Sequence, residues 1–344
     1  MKRIKFGNKN LDVKSETVRH IISAALSCGD LTREEVSRRA SVSLSSAGKV
    51  LSALDECRFT ELKYNRNNRV GSPSKAHAFS LDLSVLVLDF SSPLYTAHIV
   101  FGKAVRVVSE KYLYNPAISF EDNVVVFLSN VGMRISRLDY SVSAVCTVIA
   151  DNPDRILYVS DASAAYVPRS SDMSTVNAYC ARFFSLMPSL CLTKSAALAC
   201  AVRYDVLGAT CEGNISFVGI ADSIDAFYLP KSAPALICNI DRLMIDRSTL
   251  LSTFAQSATT SADMALLLSR CLNFMGCAFA TDEFLIEIDR SRFPDIEKRV
   301  ELIFKSVELT PPRIHYFDRE PSAAILGASL ELICALITSH IRGN

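Results

Sequence analysis

The chain has 344 residues, 49% of them hydrophobic, and its 37 Lys+Arg nearly balance 36 Asp+Glu. That length exceeds one small core and points to two or three domains, and a mean hydropathy of +0.23 provides for large buried cores. The apolar runs VLVLDF and NVVVFL are strand-sized, well short of the roughly 20 residues that span a bilayer, and the basic start MKRIKFGNKN leads into no apolar signal-type stretch, so a cytoplasmic protein is expected.

The charge is unevenly spread. Residues 1–80 carry 15 Lys+Arg against 8 Asp+Glu, and the remainder 22 against 28. A basic module on an acidic body suits a DNA-binding head on a larger core. Eleven cysteines, an odd number with no C-x-x-C pair, argue against a disulfide framework and for small buried hydrophobes.

The first predicted element is a helix over Ser15–Cys28, with Val18, Ile21, Ile22, Ala25 and Leu26 as its apolar stripe and Gly29 just past its end. Thr32 and Glu35 form the T-x-x-E of a capping box and predict a second, short helix from Thr32. Ser41, Val42 and Ser43 make a turn. A third helix follows from Leu44 to Cys57, with Ala47, Val50, Leu51 and Leu54 at spacings of three and four. The early residues Ser43, Ser45, Ser46 and Lys49 are short polar or basic groups. They suit the leading end of a recognition helix, which enters the major groove.

Thr60 to Tyr64 alternates as a strand, Asn65 to Asn68 is a turn, and extended character resumes at His77 to Leu81. Two strands around a basic tip make a wing. Arg66, Asn68 and Arg69 at the tip, and Lys75 in the connector GSPSK, are candidate phosphate or minor-groove contacts. From Leu83 three strand-sized pieces form a meander, followed by a helix over Phe120–Ile135 and a strand over Ser143–Ile149. No element is assigned from Asp151 to Pro188.

A second pass repeats the order: a short strand Ser189–Leu192, an Ala-rich helix Lys194–Val202, a hairpin of Ile215–Ile220 and Ala226–Leu229, and a long helical region Ser248–Ala278. A strand Phe284–Ile288, a helix Ile296–Lys305, a strand Arg313–Phe317 and a closing helix Ser322–Ile337 complete it. The reading is α/β: a winged helix-turn-helix at 1–80, a first actin-like lobe at 81–187 and a second at 188–344.

Taken in order, the head SETVRHIISAALSCGDLTREEVSRRASVSLSSAGKVLSALDECRF, the connector GSPSKAHAFSLD, the strand VLVLDFSSPLYTAHIV, the segment LCLTKSAALACAV and the end REPSAAILGASLELICALI resemble the ROK (repressor, open reading frame, kinase) family. The likeness is to its sugar-responsive repressor branch. It covers nearly the whole chain, and the order of the segments is more specific than any one of them. It implies a duplicated ribonuclease H-like, sugar-kinase-like body, a homodimer, a palindromic operator in double-stranded DNA and a link to carbohydrate metabolism. It leaves a small-molecule effector as an open alternative.

The departures from the family pattern bear on chemistry. Where the family has the paired glycines of a phosphate loop after a strand Asp, this chain keeps Asp89 but has Ser91 and Ser92, followed by Pro93. The second phosphate loop corresponds to GIADSIDAF, whose Asp222 and Asp225 would repel phosphate. The family's general-base Asp falls on Lys194, which cannot take a hydroxyl proton at neutral pH. The glycines of the family's sugar and zinc motifs and the zinc cysteines have no counterpart, so no metal or cofactor is expected. The expectation is a non-enzymatic DNA-binding regulator with an inactive kinase-like domain. The other readings are a protein-interaction scaffold without DNA binding, and an active sugar kinase.

Overall fold

The computed structural model describes residues 15–28, 31–64, 75–80, 83–101, 106–137, 141–151, 172–204, 213–220, 224–230, 236–237, 258, 260–307, 309, 312–317 and 322–341. The head opens with α1 (Ser15–Ser27), whose Val18, Ile21, Ile22, Ala25 and Leu26 are buried at the predicted spacing. In α2 (Arg33–Arg39) the Thr32 side chain accepts a hydrogen bond from the Glu35 backbone N–H at 3.2 Å, and Val36 is the buried residue. The turn after α2 passes through Ser41 at φ 49°. It is closed by Val42 N–H to Ser37 C=O at 3.1 Å and Ser37 Oγ to Val42 C=O at 2.7 Å. A left-handed residue just after a helix lets the backbone turn sharply enough for a second helix to begin. That helix is α3 (Leu44–Glu56), with Ala47, Val50, Leu51 and Leu54 buried.

A hairpin follows, β1 (Thr60–Tyr64) antiparallel to β2 (Lys75–Phe79), with Thr60 opposite Phe79. The second strand thus lies slightly ahead of the expected His77–Leu81. Leu31 adds a bridge to His77, whose N–H donates to the Leu31 C=O at 3.0 Å.

Two five-stranded sheets make the body. The first contains β3 (Ser84–Asp89), β4 (Leu94–Phe101), β5 (Arg106–Leu113), β6 (Ala144–Ile149) and β7 (Pro188–Thr193), in the order β5-β4-β3-β6-β7. The second contains β8 (Ile215–Ile220), β9 (Ile224–Leu229), β10 (Leu236–Ile237), β11 (Glu283–Glu287) and β12 (Arg313–Phe317), in the order β10-β9-β8-β11-β12. In each sheet the two pairings on one side of the first strand are antiparallel and the two on the other side are parallel. One topology, third-second-first-fourth-fifth, therefore occurs twice in the chain. Central strands β3, β6, β8 and β11 are buried along nearly their whole length, as parallel strands covered on both faces must be.

In the first sheet, α4 (Phe120–Ser136) covers Leu86, Leu88, Phe90 and Tyr95 with Val124, Phe127, Leu128 and Val131. Its buried Asn123 is fully used: Oδ1 accepts from Tyr112 Oη at 2.8 Å and Asn115 N–H at 2.7 Å, and Nδ2 donates to the Asn115 and Ser119 carbonyls. A helix that the sequence does not announce, α5 (Met173–Phe184), adds Val176 and Cys180 to this core. It has no side-chain hydrogen bond at its N-cap. After β7 comes α6 (Lys194–Arg203). In the second sheet, α7 (Ser261–Ala278) and α8 (Ile296–Ser306) supply Leu267, Leu268, Cys271, Leu272, Val300 and Phe304 to the core around Phe284 and Ile286. The last helix, α9, is Ala323–Ile341.

Three expectations need correction. The helical region drawn from Ser248 starts at Ser261: Thr260 is extended at φ −112°, ψ 156° and caps the helix by accepting from Asp263 N–H at 3.2 Å. The predicted Leu250, Leu251 and Phe254 lie outside the described residues. The limit between lobes at 187/188 falls just ahead of β7, yet β7 pairs with β6 in the first sheet. The chain divides instead into Met1–Tyr204 with Ile325–Asn344, and Asp205–Ala324. Lastly, Ala323–His340 is long and apolar enough to cross a membrane, with mean hydropathy 1.6, although 72% of it is buried as a core helix would be.

Candidate functional site

The head presents one exposed stripe on α3. Ser45, Lys49, Ser52 and Glu56 lie at spacings of four, three and four, opposite the buried Ala47, Val50 and Leu54. Ser43 is the N-cap: its Oγ accepts from Ser46 N–H at 3.1 Å and lies 3.0 Å from Ser46 Oγ. Two of the four predicted contact residues on this helix are thus engaged with each other in starting it, which leaves Ser45 and Lys49 open. Two residues not singled out in the sequence share this end of the head. Leu44 is a large apolar side chain left 51% exposed, and Arg33 lies across α3 at Gly48. An exposed Leu at a helix start and a Gly in mid-helix were the available signals for them.

The hairpin is tied to α3 through one carboxylate. Asp55 accepts from Thr60 Oγ1 and faces His77 Nδ1 at 2.9 Å. Helix α3 and both strands of the hairpin are therefore held in one unit. Of the wing residues, Arg66, Asn68 and Arg69 lie outside the described residues, and Lys75 is the first residue of β2. On α2, Glu35 takes Arg38 Nη2 at 2.6 Å and Arg39 Nε at 2.9 Å, and these hydrogen bonds hold its carboxyl below its ordinary value.

Within its own unit the head is anchored on the body. The Glu331 carboxylate, buried on α9, accepts from Arg19 of α1, from Arg203 Nη1 of α6 at 3.3 Å and from Tyr204 Oη at 2.6 Å. The Arg19 guanidinium beside it has its pKa raised, chiefly by that charge. Phe59, at the end of the head, meets the His340 ring edge-on with centroids 5.5 Å apart.

Four of the six kinase-like positions, Asp89, Ser91, Ser92 and Lys194, lie at the C-terminal ends of β3 and β7, the end of an open α/β sheet at which ligands generally bind. Asp89 ends β3, opposite Val148 of β6, and β6 pairs Ile149 with Thr193 just before Lys194. The groups there are turned inward. Asp89 Oδ1 accepts from Ser91 N–H at 2.8 Å and Ser92 Oγ donates to the Leu94 C=O at 3.1 Å, so the β3–β4 turn closes on itself. Lys194 is the first residue of α6. At that helix start the Asp151 carboxylate takes both Ser195 N–H, at 2.9 Å, and Ser195 Oγ. The second sheet repeats the device: Glu287 at the end of β11 accepts from Ala323 N–H, at the start of α9, at 3.0 Å. A helix N-terminus attracts anions, and at both of these the anion is the chain's own carboxylate. Asp222 lies outside the described residues, and Asp225 is in β9.

No protein-family model and no curated protein matches the sequence. Solved structures do match. A ROK-family transcriptional regulator, a homologue of the E. coli MLC protein, aligns at 11% identity over 95% of this chain and 100% of its own, with TM-score 0.59. The inorganic polyphosphate/ATP-glucomannokinase of Arthrobacter sp. strain KM aligns at 15% identity over 74% of this chain and 99% of its own, with TM-score 0.50. Identities this low establish the fold alone: this chain is folded, along nearly its whole length, as that ROK regulator is, with the actin-like, sugar-kinase-like body it shares with the glucomannokinase.

Proposed function

We propose that the chain is a ROK-type transcription regulator. Its helix-turn-helix and wing bind a palindromic operator in double-stranded DNA as a homodimer in the cytoplasm, and its kinase-like body transfers no phosphate. The observation that carries the reading is the head: α2, a tight turn and α3, with an open polar stripe on α3 and a hairpin fastened to it through Asp55. The coverage of the two alignments supports it. The glucomannokinase spends nearly its full length on about three quarters of this chain, whereas the regulator accounts for almost all of it. The body's fold and the regulator's class favour a link to carbohydrate metabolism.

Against phosphoryl transfer stand Lys194 where a general base is required, Ser91 and Ser92 in place of phosphate-loop glycines, and carboxylates at two helix starts. A general base must accept a proton at working pH, which an ammonium cannot do. The contacts proposed for DNA are Ser45 and Lys49 with the cap residues Ser43 and Ser46 on α3, and Arg66, Asn68, Arg69 and Lys75 on the wing.

A salt-dependent titration of the purified protein against fragments of its own upstream region tests the reading. Specific binding that weakens steeply with salt is expected. In Arg66→Ala and Arg69→Ala, weaker binding on every sequence with a shallower salt slope is expected. No binding to any fragment at low salt would transfer the chain to the scaffold reading. ATP-dependent phosphorylation of a hexose, lost on changing Lys194, would overturn the inactive body.

A further inference from the structure

Gly48 stands in the middle of the 13-residue α3, and no positive φ there calls for glycine. A glycine in a helix interior costs about 1 kcal/mol relative to alanine, so an alanine would serve the helix better. What the missing side chain leaves room for is Arg33. A Cβ on Gly48 would lie 2.7 Å from Arg33 Nε, 3.0 Å from Cζ and 3.2 Å from Nη2. The guanidinium of the first helical residue of α2 therefore lies directly across the backbone of α3. Among the described residues no carboxylate pairs with it, whereas Arg38 and Arg39 of the same helix are both held by Glu35. Arg33 is exposed. Leu44 lies one turn earlier on the same side of α3, and Lys49 follows Gly48 directly.

We propose that Arg33 is a DNA-phosphate contact and that Gly48 is the seat that positions it. The inference rests on the DNA-binding reading above and adds to it a residue on α2. In a helix-turn-helix the first helix crosses the sugar-phosphate backbone while the second enters the major groove. A guanidinium carried by the first helix and laid over the second is at the boundary of those two regions. Its planar fork can donate two parallel hydrogen bonds to one phosphate. Phosphate contacts set register on the duplex without reading sequence, so the contribution is the same on every site.

The test uses the full chain and a mixed-sequence 30-base-pair duplex, titrated by fluorescence anisotropy at several KCl concentrations, with thermal melting of each variant alongside. Arg33→Ala is expected to weaken binding roughly tenfold at low salt. It should also reduce the log–log salt slope by about 0.9, the value of one neutralised phosphate. Arg33→Lys keeps the charge and is expected to keep the slope while losing part of the affinity. Gly48→Ala is the distinguishing variant: melting at or above the wild-type temperature together with weaker DNA binding is expected, because the helix gains and the seat is lost. In Gly48→Ala/Arg33→Ala the loss should be no larger than in Arg33→Ala alone. Wild-type affinity and slope in Arg33→Ala would overturn the proposal and leave Arg33 as helix packing. Additive losses in the double variant would overturn the role of Gly48. A wild type that binds no duplex at low salt would remove the DNA-binding reading itself, a result distinct from either.

Discussion

Replacing Glu331 tests how the head and the body's helices are joined. The carboxylate sits on α9, a mostly apolar helix, and takes four donors of unequal standing: Arg19, Arg203, Tyr204 and, weakly at 4.0 Å, Cys200 Sγ. The side chains of Arg19 and Arg203 are both 55% exposed, so water can replace their partner and each pair contributes about 0.5 kcal/mol at most. Tyr204 is different. It is fully buried, its hydroxyl lies 2.6 Å from Glu331, and burial pushes its pKa upward. Left with only the Cys334 sulfur, a weak acceptor, that hydroxyl costs about 1–3 kcal/mol. Relief from keeping a charge in a desolvated position offsets part of the sum, so Glu331→Ala should cost about 2–3 kcal/mol. Glu331→Gln, which retains an oxygen for Tyr204, should cost about 1 kcal/mol. Hydrogen exchange measured by mass spectrometry over α6 and α9 reads this as local opening. Exchange there should rise roughly 30- to 150-fold in Glu331→Ala, at a factor of ten per 1.4 kcal/mol. It should rise less than tenfold in Glu331→Gln and scarcely at all in Arg19→Ala. If Arg19→Ala/Arg203→Ala matched Glu331→Ala, the exposed ion pairs would be the main interaction and the argument from Tyr204 would be wrong.

Other substitutions separate tight from open places in the same unit. A Cβ on Gly327 would stand 2.0 Å from the Ala197 carbonyl oxygen and 2.5 Å from the Ala201 nitrogen. Both are backbone atoms of α6 that cannot step aside, so Gly327→Ala should lower stability by about 1–3 kcal/mol despite its better helix propensity. Gly132→Ala, whose nearest neighbour would be Phe184 Cε1 at 3.9 Å, should melt at or above the wild-type temperature. Among the nine described cysteines, Cys191 and Cys277 are exposed and should alkylate first in the native protein. Burial pushes the Cys57 and Cys271 thiols up to about 12, and raising the pH from 7 to 9 stays below that value. Little thiolate forms, and both should remain unlabelled until the chain unfolds. Labelling of Cys271 at pH 9 in the folded protein would contradict its burial. Under the DNA-binding reading, Leu44 suits an apolar contact with a thymine methyl group. Replacing operator thymines by uracil should weaken the wild type several-fold at one or two positions and leave Leu44→Ala unaffected there.

The local elements were legible wherever a short-range signal exists. The T-x-x-E box at Thr32 started α2, apolar residues three and four apart marked α1 and α3, and alternating apolar runs marked the strands. These depend on groups within four residues of one another, so the chain determines them before it is folded. The helix over Met173–Phe184 was not legible, because its start has no side-chain cap and its buried positions, Val176 and Cys180, are too few to set a period. The start of α7 was misread for the related reason that apolar composition continues upstream past the Thr260 cap.

The reading of Asp89, Ser91, Ser92 and Lys194 as degenerate kinase positions came from a resemblance in segment order. The use made of those groups did not. That Asp151 and Glu287 fill two helix N-termini depends on pairings across sequence separations of 44 and 36. That β7 belongs to the first sheet, and that Arg19 meets Glu331 across 312 positions, depends on pairing partners no local pattern names. Gly48 is the sharpest instance. The sequence by itself determined a glycine in the middle of a helix, a local disadvantage, and only the packing of α2 on α3 decided that the space belongs to a guanidinium, because a side chain's worth is set by the atoms that reach it through space.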